Sequence, residues 1–499
     1  MDRTRRAGIL LHPTSLPGRN GIGELGQEAH RFVDWLADAG QSIWQVMPLG
    51  PTGYGDSPYQ CFSAFAANPM LISLDTLVEL NLLQDKDLES LRQLDQQRID
   101  FGALIPRKQR LLEKAFSAFQ EKADEDWKKH FREFCYRHAG WLDDYTLFIS
   151  LKQHQDGKPW NHWQEELRQR NPEALQKAVM EFAGDIEREK WLQYITFEQW
   201  WSVRRHANER GILIIGDLPI FIAYDSADSW ANPHLFHLDD KGNPTVVAGV
   251  PPDYFSATGQ RWGNPLYKWD AHRQEHFTWW EHRFQTVREL VDIIRIDHFR
   301  GFAACWSIPA SEETAVQGEW VEAPGAELFG TMLQRMGDLP LIAEDLGLIT
   351  PDVIALRKQF GFPGMAVMQF AWGSGPDNPF LPHHHQPDSV IYTGTHDNNT
   401  TVGWYSEETT PESRQHLDEY IGHASGPIHQ ELLRLAYSST GMMAIAPMQD
   451  LLGLDSDARM NTPGQPAGNW QWRMSDMQMS QELAERTRHW VELYGRIVS

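Results

Sequence analysis

Short apolar runs that stop abruptly at polar residues recur eight times along the chain. They occupy residues 8–12 (GILLH), 42–49 (SIWQVMPL), 212–217 (ILIIGD), 292–297 (DIIRID), 341–345 (LIAED), 366–372 (AVMQFAW), 390–397 (VIYTGTHD) and 442–449 (MMAIAPMQ). Continuous apolar stretches of this length predict strands buried on both faces, as in a parallel sheet. Helical periodicity fills several of the intervals. Residues 27–39 place Ala29, Phe32, Val33 and Leu36 on one stripe, and Gly40 is a natural stop. Residues 326–336 repeat the pattern with Leu328, Phe329, Met332 and Met336. Thr350-Pro351 reads as a helix start ahead of Val353, Leu356 and Phe360, and Thr410-Pro411 opens another helix. Eight strands alternating with helices predict an α/β fold, a (β/α)8 TIM barrel.

Two intervals are too long to be simple loops. Residues 50–211, between the second and third runs, are charged, helix-patterned and rich in Trp, as at 125–137 and 191–205. Residues 218–291 separate the third and fourth runs. Both predict subdomains inserted in βα loops, the first mostly helical, on the side of a barrel where active sites form. The expectation is one barrel over residues 1–499, with no C-terminal β-sandwich after the eighth run.

Composition narrows the partners. The 499 residues carry 45 Lys+Arg against 68 Asp+Glu, a formal charge of −23. That balance argues against a nucleic-acid backbone or an anionic membrane surface as partner. Three cysteines, Cys61, Cys135 and Cys305, cannot make a disulfide framework and suit a reducing compartment. The N-terminal run AGILL is too short for a signal sequence, and no run approaches a membrane span. A cytoplasmic protein is expected. The 21 Trp serve a core first; some can also stack on the apolar face of a ligand such as a sugar ring.

The chemistry is suggested by position. Four runs end in an acid: Asp217, Asp297, Glu344 or Asp345, and Asp397. The C-terminal ends of barrel strands converge on one pocket, and acids gathered there push each other's pKa values apart. In RIDHFRG, Arg295 and Asp297 share a strand face, so the guanidinium can keep Asp297 ionised. In IAEDLG, Glu344 and Asp345 point to opposite faces, so only one points inward. GTHDNNT adds His396 and two Asn, donors and acceptors suited to a polyhydroxyl ligand. No phosphate loop, nucleophile elbow or zinc spacing is present. The triplet His383–His385 sits among Pro and Gln as a loop, and no metal is expected. Cys305, in FAACW, has no base partner and reads as a buried cysteine. A protonated acid opposite an ionised carboxylate is the apparatus of a two-carboxylate glycosidase, and retaining enzymes hold the pair about 5–5.5 Å apart.

Long motifs then carry a resemblance. LLHPTSLPG (10–18), WQVMPLGPTGYGDSPYQ (44–60), GDLPIFIAYDSADSW (216–230), GVPPDYFSATGQRWGNPLY (249–267), RIDHFRG, AEDLG and THDNNT make the chain resemble the 4-α-glucanotransferases, or amylomaltases, of glycoside hydrolase family 77 in the α-amylase superfamily. The resemblance implies Asp297 as nucleophile, Glu344 as general acid and then base, and Asp397 as stabiliser of the distorted sugar. It implies Arg295, His396 and Asp217 around the same ring, with Tyr59 as its stacking platform and Ser57 beside it. Asp253 and Trp262 fall on a loop that resembles a lid over the acceptor side. Tyr54 resembles a residue of a second glucan-binding groove, and Asn469-Trp470, in GNWQWR, would reach the rim.

The implied reaction moves a 1,4-α-glucan segment from a maltooligosaccharide or glucan donor to glucose or another glucan. It needs no cofactor and no metal. Oligomeric state is left open, with a monomer the simplest expectation. A hydrolytic α-amylase or debranching enzyme would use the same acids. A non-catalytic glucan-binding protein on this scaffold would be expected to have lost one, and Asp297, Glu344 and Asp397 are all present.

Overall fold

Each of the eight apolar runs overlaps a short parallel strand, because its side chains are buried on both faces. The computed structural model describes residues 4–252, 256–422 and 426–498. Its strands are β1 (Arg6–Leu10), β2 (Ile43–Gln45), β3 (Leu213–Pro219), β4 (Val246–Val250), β5 (Gln260–Pro265), β6 (Ile293–Asp297), β7 (Ala304–Pro309), β8 (Glu319–Glu322), β9 (Leu341–Ala343), β10 (Gly364–Val367), β11 (Ser389–Tyr392) and β12 (Met443–Pro447). The parallel sheet runs β10-β11-β12-β1-β2-β3-β6-β9. Its two ends meet where the Ala343 N–H donates to the Pro363 carbonyl at 2.9 Å, next to β10. The result is the eight-stranded (β/α)8 barrel.

The predicted helices cover it. Helix Gln27–Asp38 buries Ala29, Phe32, Val33, Trp35 and Leu36. Each large apolar side chain so buried contributes about 1.5–3 kcal/mol. Phe32→Ala would cost about 3–5 kcal/mol, because the ring is fully enclosed. Helix Gly325–Met336 buries Leu328, Phe329 and Met332 in the same way. Close packing also dictates one glycine beside the site. A Cβ on Gly216 would lie 2.4 Å from Cγ1 of Val291, so only hydrogen fits next to Asp217.

Strand ends differ in detail from the apolar runs. The sixth strand ends at Val367, and Met368–Phe370 turns into a short 3-10 helix. Met368 remains buried there, so apolarity marks burial and not backbone geometry. The seventh strand ends at Tyr392, which places His396 and Asp397 in the following turn.

Residues 50–211 carry the long helices Phe101–Lys122, Glu125–His154 and Ala183–Glu209. The side chains of Asp100 and Asp124 cap the first two by accepting the N–H of Ala103 and Trp127. Much of the Trp load is core: Trp44, Trp191, Trp200 and Trp280 are fully enclosed. Residues 218–291 contribute β4 and β5 to a second, antiparallel sheet ordered β5-β4-β7-β8. The strand pair β7–β8 comes from the loop after β6, so this sheet joins two excursions from the barrel. The sequence reading did not anticipate it, because Gly or Pro interrupts or ends three of its strands and the fourth, EWVE, is exposed along its length. Among the described residues no helix is long and apolar enough to cross a membrane.

Candidate active site

Pairing of β3 with β6 sets Asp217 opposite Arg295 and Pro219 opposite Asp297. Alternation then turns Arg295 and Asp297 to one face. One nitrogen, Nη1 of Arg295, donates to Oδ2 of Asp217 and, at 3.1 Å, to Oδ1 of Asp297. Arg295 is 4% exposed. A cation so buried is tolerated only with partners. Burial works against its charge, but Asp217 and Asp297 more than compensate and hold its pKa well above the usual guanidinium value. The Tyr59 hydroxyl donates to the same Oδ2 of Asp217 at 2.6 Å. Burial pushes Asp217 up to about 6; Arg295 opposes the rise and Asp297 adds to it.

Glu344 follows β9 directly. Its own N–H donates to the Ile296 carbonyl at 3.0 Å, continuing the ladder beside β6. Its carboxyl accepts two main-chain N–H groups, His298 at 2.8 Å and Leu346 at 3.1 Å. His298 has φ 52° and ψ 52°, the left-handed conformation that a side chain disfavours by about 1–2 kcal/mol. That turn, immediately after Asp297, presents its N–H to Glu344. Burial pushes the Glu344 carboxyl up to about 8, with Asp297 adding to the rise and Arg295 opposing it. Asp345 turns the other way, accepting from the Met365 N–H at 2.7 Å and pairing with Arg357 at 3.1 Å. Of the two neighbouring acids, Glu344 therefore faces Asp297.

Asp397 and His396 come from the turn after β11. Nε2 of His396 lies 3.4 Å from Oδ1 of Asp397. The imidazole stacks on Tyr59 with centroids 5.0 Å apart and planes 16° apart. Trp470 closes the aromatic group, 6.0 Å from Tyr59 and 5.8 Å from His396. The Asp397 side chain stays 47% exposed, open to a ligand. Nδ2 of Asn461 donates to its Oδ1 at 2.6 Å.

The other expected residues divide. Trp262 stands edge-on to His298, the residue whose N–H donates to Glu344, with centroids 4.8 Å apart and planes at 90°. Oγ of Ser57 accepts the Tyr59 N–H at 3.2 Å and shapes the turn that delivers that ring. Asn469 is engaged within its own turn: Oδ1 accepts from the Thr462 N–H at 3.0 Å, and Nδ2 donates to the Gln465 carbonyl at 2.9 Å. Its neighbour Trp470, at φ 63°, is the residue that reaches the aromatic group. Tyr54 lies in the turn Tyr54–Asp56; its side chain and all of Asp253 lie outside the described residues.

His383 and His384 accompany the Pro376 carbonyl and Tyr420, and His385 the Phe380 carbonyl. Among the described residues no group of three or more His, Cys, Asp or Glu is placed to hold a metal ion. Cys305 is buried in β7. Sequence reasoning placed Trp470 with Asn469 at the rim but missed Asn461. Asn461 lies in the same loop after β12, where only the polar clustering of RMNTPG offered a signal.

The site thus holds one carboxyl pushed towards its protonated form by burial, a second carboxyl braced by a buried guanidinium, and a third acid exposed beside an imidazole. This suits cleavage of a glycosidic bond by a protonated acid and an ionised partner. The comparisons agree. The profile of the 4-alpha-glucanotransferase family, glycoside hydrolase family 77, matches residues 11–480. A 4-alpha-glucanotransferase of Thermus thermophilus is 48% identical, covering 100% of both chains. One from Synechocystis is 48% identical over 99% of this chain and 98% of its own. The solved amylomaltase of Streptococcus agalactiae in complex with acarbose superposes with a TM-score of 0.96 at 37% identity, covering 99% of this chain and 100% of its own. From the strand-end acids, the barrel that gathers them and these full-length likenesses together, the chain belongs to the 4-alpha-glucanotransferases of glycoside hydrolase family 77.

Proposed function

We propose that the three carboxylates divide a retaining 1,4-α-glucan transfer between them. Asp297 attacks the anomeric carbon while Glu344 gives its proton to the departing glycosidic oxygen. The C–O bond of the donor breaks, and a bond from C1 to the Asp297 carboxylate forms with inverted configuration. The 4-hydroxyl of an incoming glucan then attacks C1 and gives its proton to the Glu344 carboxylate. Asp297 leaves, and the product regains the α configuration. Asp397 faces the positive charge that develops on the sugar ring in both steps.

The observation that carries this reading is the contrast between Glu344 and Asp297. One is pushed up to about 8 chiefly by burial, while the other is fixed by Arg295. Arg295, Asp217 and Tyr59 brace the nucleophile; the stacked Tyr59 and His396 offer a flat wall and polar edges to the sugar. Trp262, beside His298, supports transfer over hydrolysis, because an aromatic wall on the acceptor side excludes water while a sugar can stack there. Donors are maltooligosaccharides and longer 1,4-α-glucans, and acceptors are glucose or the same glucans. In this reading the enzyme works without a cofactor, in the cytoplasm.

The test is maltotriose given alone to the purified protein, with products resolved by length and total reducing ends titrated. A ladder of shorter and longer oligomers at constant reducing ends is expected. Rising reducing ends without longer products would make the enzyme a hydrolase.

A further inference from the structure

We infer that Arg459, oriented by Glu408, is a positioning residue for the exposed carboxylate of Asp397. The inference rests on the reading of Asp397 as the acid that faces the developing charge. Asp397 is unlike the other two acids: its side chain is nearly half exposed, and Asn461 is the residue that donates to its carboxylate. Its main chain is held as well.

Arg459 holds it from the loop after β12. Nη2 donates to the Asp397 carbonyl at 2.7 Å. Nε donates to the Asn461 carbonyl at 2.9 Å. Nη1 pairs with Oε1 of Glu408 at 3.1 Å. One rigid, planar guanidinium therefore spaces the peptide of Asp397 from the peptide of Asn461, and so sets the contact between their side chains. The Asn461 N–H also donates to the His396 carbonyl at 3.1 Å, tying the same loop to the neighbouring imidazole residue.

Glu408 completes the device. It ends the π-helical turn Trp404–Glu408, and its Oε1 also accepts from Nδ2 of Asn399 at 2.9 Å. Asn399 lies two positions beyond Asp397 in the same turn and donates in addition to Oγ of Ser456 at 3.1 Å. The turn after β11 and the loop after β12 are thus laced together by this ion pair and the hydrogen bonds around it, with Asp397 at the lacing. A guanidinium donating to two carbonyls and a carboxylate forms charge-assisted bonds, the stronger kind. Displacing a reacting group by about 1 Å can lower turnover on the order of 100-fold.

The experiment measures kcat and KM for maltotriose disproportionation, the inhibition constant of acarbose, and Tm. The variants are Arg459→Ala, Arg459→Lys, Glu408→Gln, Asp397→Asn and the Arg459→Ala/Asp397→Asn double variant. Arg459→Ala is expected to lower kcat about 10- to 100-fold with KM changed by less than about threefold. Acarbose binding should weaken in step with kcat/KM. Arg459→Lys should recover part of the loss, and Glu408→Gln, at a half-exposed position, should lose several-fold without a fall in Tm. In the Asp397→Asn background, Arg459→Ala should cost almost nothing further, because coupled residues do not add.

Kinetics of Arg459→Ala and Glu408→Gln within about threefold of the parent, with only Tm lowered, would make the pair a mere brace and overturn the inference. So would full additivity in the double variant. If Asp397→Asn itself kept its turnover, the failure would lie with the role assigned to Asp397.

Discussion

The main-chain N–H of His298 donates to Oε2 of Glu344 at 2.8 Å, and His298 is the residue that follows Asp297. The peptide that carries one reacting carboxylate therefore holds the other, and neither can shift alone. Because Glu344 is pushed up to about 8, it carries its proton at neutral pH and loses it above that value. The rate of cleavage of maltotriose, followed as kcat/KM, should fall as pH rises through about 8. With α-glucosyl fluoride, whose leaving group needs no proton, that basic limb should disappear from the glycosylation step. A limb that persists on both donors would take the acid role from Glu344.

The same group predicts a trade between activity and stability. A carboxyl whose folded pKa lies above its unfolded value binds more protons in the folded state between the two. Stability then declines as pH rises from about 4.5, the ordinary value, to about 8. Glu344→Gln cannot ionise. Its Tm relative to the parent should shift in the variant's favour between pH 5 and pH 8, as followed by calorimetry, while its transfer rate collapses. A difference in Tm independent of pH would count against burial as the cause.

Asp297→Asn keeps the shape and one acceptor for Arg295 but cannot form the ester to C1. Transfer should fall by about 10⁴-fold or more, the order seen when a nucleophile is removed. Binding of maltoheptaose, measured by titration calorimetry, should remain within about tenfold, because the pocket is otherwise intact. Turnover remaining near the parental rate would exclude Asp297 as nucleophile.

Tyr59 serves two neighbours with two parts of its ring. The hydroxyl bonds Asp217 at 2.6 Å, and the face stacks on His396. Tyr59→Phe removes only the first. A hydrogen bond to a charged group contributes about 1.5–3 kcal/mol, so kcat/KM should drop by no more than about 10- to 100-fold. Loss of the hydroxyl also removes an influence that lowers Asp217, which sits at about 6. The acidic limb of the pH profile should therefore move upward in Tyr59→Phe. Tyr59→Ala should lose more, because the stack goes too. Equal losses in the two variants would assign the whole effect to the ring.

Much of the site was legible because burial and strand direction leave marks in a linear sequence. Asp217 and Asp297 end apolar runs, and Glu344 follows one directly, so each reads as a carboxylate at the mouth of a barrel. The choice between Glu344 and Asp345 came from the resemblance and was not legible in the strand pattern. Strand alternation sends them to opposite faces, but which face is the pocket depends on Arg357 and the Met365 N–H, contacts made with the next helix and strand. Asn469 shows the converse: its motif placed it at the rim, but its amide is spent on the turn that presents Trp470.

The sequence by itself determined the eight buried strands, the helices that cover them and the acids at their ends. These follow from local periodicity and from hydrophobic burial, which act on neighbours in the chain. Only the tertiary structure decided that Arg295 is shared by two acids, that Glu344 keeps its proton, and that the loop after β12 reaches back to Asp397. It alone decided that two excursions from the barrel combine in one antiparallel sheet. Those contacts join residues tens of positions apart, and the burial that shifts a carboxyl comes from whatever packs around it. Neither quantity exists until the barrel has closed.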